Sequence, residues 1–126
     1  MTRSIAIATG VAYGDVYEDL NERTKRLRLA GHRVGARTGV PRDVYQNYLF
    51  DLGWIWRPTM KIGTGCKVHL RAGELPAGRI IARCSGHLVA VIDGVIRDLS
   101  DPSRDGTRCV YGWFEPGTDA CVPGEA

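Results

Sequence analysis

The run GHLVAVIDGVIRDLSDPSR, residues 86–104, decides the fold class of this chain. Asp93-Gly94 stands between two apolar stretches, and this dipeptide supplies cheaply the positive φ angles that a two-residue hairpin turn demands. The turn fixes a register. Ile92 then faces Val95, Val89 faces Asp98 and His87 faces Ser100, so His87, Val89, Ile96 and Asp98 share one side of the sheet. His87 and Asp98 become diagonal neighbours within reach of an imidazole–carboxylate hydrogen bond. A carboxylate so placed fixes the imidazole tautomer and stabilises its charged form, the orienting role in a nucleophile–base–acid arrangement. The plainer alternative is a strand-end histidine satisfied by the backbone and a solvated aspartate.

Outward from the hairpin, the C-terminal half reads as strands. Residues 67–71, 79–84, 87–92, 95–100 and 109–114 are short β-prone runs separated by Gly, Pro, Asp and Ser. The N-terminal half reads as helices. Residues 4–8 are small and apolar and end at Gly10; residues 14–29 then place Val16, Leu20, Thr24 and Leu27 at helical spacing between charges. GHRVGARTGV is a loop. Pro41 suits the first turn of a third helix, in which Val44, Tyr48 and Leu49 form a stripe and which Gly53 ends. Trp54, Trp56 and Pro58 lead out extended. Helices first and an antiparallel sheet second make an α+β domain, with residues 1–126 as one unit.

Composition agrees with a single globular unit: the 126 residues are 44% apolar and 25% charged, enough for one core and too few for two. The net charge of +3, from 17 Lys and Arg against 14 Asp and Glu, is a weak electrostatic footprint, and nucleic acid is not the expected partner. No leader-like pattern and no apolar run near the roughly 20 residues of a membrane span stand in the sequence. The expectation is a cytoplasmic protein with no membrane association and no cofactor.

Four cysteines, Cys66, Cys84, Cys109 and Cys121, are then expected as free thiols. Cys66-Lys-Val-His69 and Cys84-Ser-Gly-His87 repeat a C-x-x-H spacing with two soft and two imidazole ligands, a set that suits tetrahedral zinc. Within strands, however, i and i+3 point to opposite faces, so buried structural cysteines are the better expectation and no metal is assigned. Trp54, Trp56, Tyr111, Trp113 and Phe114 read as core or cleft wall, and Asp101-Pro102-Ser103 as a turn. The basic residues at 25–28 read as the solvated face of the long helix.

GHLVAVIDGVIRDLSDP resembles the histidine-bearing hairpin of papain-like cysteine peptidases, in particular the bacteriocin-processing peptidase branch. TRSIAIATGVAYGDVYEDLN resembles the nucleophile helix of small papain-like proteins common in bacteriophages, and the order of the two parts matches that family. The resemblance implies a papain-like fold, a cysteine peptidase or amidase ancestry, a peptide or protein as substrate or partner, His87 as base and Asp98 as its orienting acid. It also implies a host-cytoplasm location if the chain is phage-encoded.

One part of the pattern is missing. Aligned through TRSIAIATG, the family cysteine falls one residue before Met1, so the chain either begins one codon late or lacks the nucleophile as an inactive homologue. A thiolate belongs there because the unpaired N–H groups and positive end of a helix lower its pKa. Ser4, one turn further along, and Thr2, as an N-terminal residue, are the substitutes within the chain. The expectation is therefore a His87–Asp98 dyad whose imidazole points toward residues 1–4. The alternative is a non-catalytic binding protein on the same fold.

Overall fold

The hairpin turns where its sequence says it should. In the computed structural model, which describes residues 1–36, 39–60, 65–84, 87–97 and 108–117, Asp93 has φ 50° and Gly94 φ 80°. Strand β3 (His87–Ile92) then pairs with β4 (Val95–Arg97), Ile92 opposite Val95 and Val91 opposite Ile96. The side chain of Asp93 closes the turn further by accepting the Gly78 N–H at 2.7 Å. The continuation of this ladder to Asp98 and Ser100 lies outside the described residues.

Five antiparallel strands form one sheet in the order β1-β5-β2-β3-β4, with β1 at Trp54–Pro58, β2 at Arg79–Cys84 and β5 at Gly112–Pro116. Together with three helices this is the α+β class expected from the sequence. Helix α1 (Thr2–Thr9) ends where Gly10 enters the left-handed region at φ 77° and its N–H returns to the Ala6 carbonyl. Helix α2 (Tyr13–Leu29) buries Val16, Leu20 and Thr24, each four residues apart, which is one face of a 3.6-residue repeat. Helix α3 (Arg42–Asp51) starts directly after Pro41.

The strand alternation divides the interior in two. Ile81, Leu88, Ala90 and Phe114 face the three helices and join Ile5, Leu20, Leu49 and Trp54 in one cluster. Ile80, Ala82, Val89 and Val91 face the other way and pack with Leu70 and Val110 in a second. Burying a Val, Leu, Ile or Phe side chain contributes about 1.5–3 kcal/mol, so both faces of β2 and β3 are needed to hold the central strands. This is why RIIARC and HLVAVI read as nearly continuous apolar runs.

Several expectations are corrected. Trp54–Pro58 is a sheet strand paired with β5 and not only a lead-out; Pro58 sits at its end, on the sheet's margin, where a missing N–H costs no ladder bond. The stripe of α3 is Tyr45, Tyr48 and Leu49, with Val44 only half-buried. Residues 67–71 do not form a strand. They make one bridge, His69 opposite Cys109, before a 3-10 turn at Ala72–Glu74 in which the Glu74 carboxylate accepts from the His69 backbone N–H at 3.3 Å and draws the chain away. The last strand begins at Gly112, three residues later than expected, because 108–110 are occupied by bonds to Val68 and Leu70.

That same bridge overturns the expectation of free thiols at two positions. It brings Cys66 and Cys109 to a Cα–Cα distance of 5.8 Å, within disulfide geometry, and the two are bonded across a sequence separation of 43. Such a bond persists in oxidising surroundings and is reduced in a glutathione-poised cytoplasm. Cys84 is buried at the end of β2, and Cys121 lies outside the described residues. Among the described residues no helix is long and apolar enough to cross a membrane.

Candidate functional site

Helix α1 lies across the helix-facing side of β2 and β3, and buried hydroxyls fasten its first turn there. Ser4 Oγ donates to the Leu88 carbonyl at 2.8 Å, and Thr2 Oγ1 donates to the Ala36 carbonyl at 2.9 Å. Both side chains are almost wholly buried. Neither hydroxyl is therefore available as the substitute nucleophile that the sequence allows at Thr2 or Ser4.

Beside this helix start a cavity of about 500 Å³ opens between α1, the loop before α3 and the ends of β2 and β3. Met1 and His87 both line it, so the start of the helix and the expected base meet in one space. His87 is half-buried and stands opposite Cys84 across the β2–β3 ladder. Since Leu88 and Ala90 face the helices, alternation assigns His87 to the other face of the sheet. As the first residue of β3 it borders the cavity from the end of the strand, and its imidazole must come round that end to approach Met1. Asp98, its expected partner, lies outside the described residues.

Beside the apolar Val34, Val40, Pro41 and Leu88, the wall carries two arginines and a tyrosine. Arg83 projects from β2, its guanidinium 5.9 Å from the Tyr111 ring centroid and its charge close to the Tyr45 phenol. Burial pushes the Tyr45 phenol above its ordinary pKa, and the nearby Arg83 and Arg42 charges partly offset this. Tyr45 thus stays a neutral donor at physiological pH. Arg33 enters from the loop, whose course is set by the Ala36 N–H donating to Asn21 Oδ1 at 2.9 Å and by the Gly35–Gly39 bridge.

The repeated C-x-x-H pairs do not converge. Cys66 is disulfide-bonded, His69 Nδ1 lies 3.2 Å from Glu74 Oε1, and the Cys84 and His87 pair borders the cavity elsewhere. Among the described residues no group of three or more His, Cys, Asp or Glu side chains is placed to hold a metal ion. No sequence motif or spacing singles out Arg33, Arg83 and Tyr45. Arg83 alone left a trace there, as a charged residue within an otherwise apolar central strand. The chain matches no protein-family model, no curated protein and no solved structure.

Proposed function

We propose that this chain is a papain-like domain related to cysteine peptidases and amidases, with His87 as the proton-transfer base and Asp98 as the acid that orients it. The observation that carries this reading is the shared cavity of Met1, at the start of α1, and His87, at the start of β3. In such a site a thiolate at the helix start attacks the carbonyl carbon of an amide, and the imidazolium gives its proton to the departing amine. Water then adds to the thioester, losing its proton to the imidazole, and collapse of the adduct to the carboxylic acid expels the thiolate, which restores the thiolate–imidazolium pair. The helix start favours the anion through its unpaired N–H groups and positive dipole end.

A second reading, a binding protein on the same fold that acts on a phage or host component, is favoured by the engagement of both Thr2 and Ser4. The described part of α1 then offers no nucleophile of its own.

A chain extended by a cysteine before Met1 separates the two. Under the hydrolase reading, the pH dependence of its alkylation gives a thiol pKa at least about one unit below the ordinary value near 8.5, and His87→Ala raises it again. A thiol that titrates near 8.5 and ignores His87→Ala removes the catalytic reading.

A further inference from the structure

A second depression, lined by Arg28 and His32, adjoins the cavity and shares Arg33 and Val34 with it. Arg33 and Arg83 thus share the cavity, Arg28 and Arg33 the depression beside it, and among the described residues no Asp or Glu lines either part of this groove. Among the described residues their partners are neutral. Arg28 donates to the Asn21 carbonyl at 2.6 Å and the Val34 carbonyl at 3.3 Å, and Arg83 stands over the Tyr111 ring with the Tyr45 phenol nearby. Neutral acceptors hold a guanidinium in place and leave its charge uncompensated, which is the condition for capturing an anion from solution.

We propose that this groove binds a peptide through an acidic side chain, the carboxylate seated between Arg33 and Arg83 with the Tyr45 phenol as a neutral neighbour. The choice of a carboxylate rests on the groove itself, whereas the choice of a peptide as its carrier rests on the papain-like reading. A nucleic acid fits the groove less well. The Tyr45 ring is 5% exposed and offers no face for a base to stack on, and the whole chain carries only +3.

The test is titration calorimetry of the full chain at low salt with two blocked pentapeptides that differ only in a central Glu or Gln. The Glu peptide is expected to bind about tenfold more tightly, with the preference falling as salt is added. Arg83→Gln and Arg33→Gln should each abolish the preference. Arg33 is exposed, so its variant remains informative if the Arg83 variant fails to fold. Equal affinity for the two peptides overturns the proposal, as does a preference that survives both substitutions. It is equally overturned if N-acetylglutamate or a single-stranded oligonucleotide binds more tightly than the Glu peptide with the same arginine dependence. Binding is read here without turnover: a Glu preference that persists in His87→Ala, while the thiol of the cysteine-extended chain titrates near its ordinary value, supports the groove and rejects the hydrolase.

Discussion

The hydroxyl of Ser4 and the carbonyl of Leu88, 84 residues apart in sequence, meet at 2.8 Å in a buried hydrogen bond that fastens α1 to β3. The bond sits next to His87 in the chain, so it sets the height of the helix start relative to the cavity. Ser4→Ala removes the donor and leaves a buried carbonyl short of a partner. A loss of about 1–2 kcal/mol in urea unfolding is expected, against little change for Ser4→Cys, whose thiol keeps a weak donor. Equal stabilities of the Ala variant and the parent chain would show that the bond does not hold the helix.

The cross-link between Cys66 and Cys109 closes a loop of 43 residues, and the chain-entropy model assigns such a closure about 4 kcal/mol. Cys66→Ser and reduction by dithiothreitol are expected to lower the melting temperature by the same amount. The reductant should leave the melting temperature of Cys66→Ser unchanged. A reductant effect in the variant would point to a different cysteine.

Gly112 lies beneath the Trp56 indole. A Cβ at this position would land on the Trp56 ring and 2.7 Å from the Arg57 carbonyl oxygen, which is backbone and has little room to move. Gly112→Ala should therefore force β1 away from β5, costing about 1–3 kcal/mol in thermal or urea unfolding. Gly73→Ala, where open space surrounds the added methyl, is the control and should be near neutral.

Glu74 provides an acid-dependent contact. Its carboxylate accepts from the Arg71 guanidinium and from His69, and these bonds, Arg71 first, hold its pKa below the usual glutamate range. With the folded pKa depressed, the unfolded chain binds the proton more readily. The contribution is present above the ordinary glutamate pKa and is lost as pH falls through the lower folded value. Urea midpoints of the parent chain and Glu74→Gln should differ at neutral pH and converge in acid. A constant gap across that range would exclude the carboxylate as its cause.

What the sequence reveals of this fold follows the range of the forces involved. Strands β2 and β3 and the Asp93-Gly94 turn are legible because periodicity and turn chemistry act within a few residues. Strand β1 is less so, since WIWRP gains its place only by pairing with residues 112–116, far along the chain. The disulfide is hidden for the same reason: nothing local announces that His69 and Cys109 form a bridge. His87 is legible as a strand-opening histidine, and the start of α1 borders the same cavity. Arg33, Tyr45 and Arg83 converge from a loop, a helix and a strand, and no spacing rule connects them.

The Cys66–Cys109 bond also determines how the chain bears a load. Strands β2, β3 and β4 all lie between the two cysteines, so tension applied through the ends of the oxidised chain passes across the sulfur atoms and bypasses these strands. The sequence separation of 43 amounts to about 150 Å of extended chain, at roughly 3.3–3.6 Å per residue, which stays unavailable until the bond is reduced. In a pulling experiment the oxidised molecule should release only its flanking segments, with the shielded hairpins yielding their length in a later, reductant-dependent event.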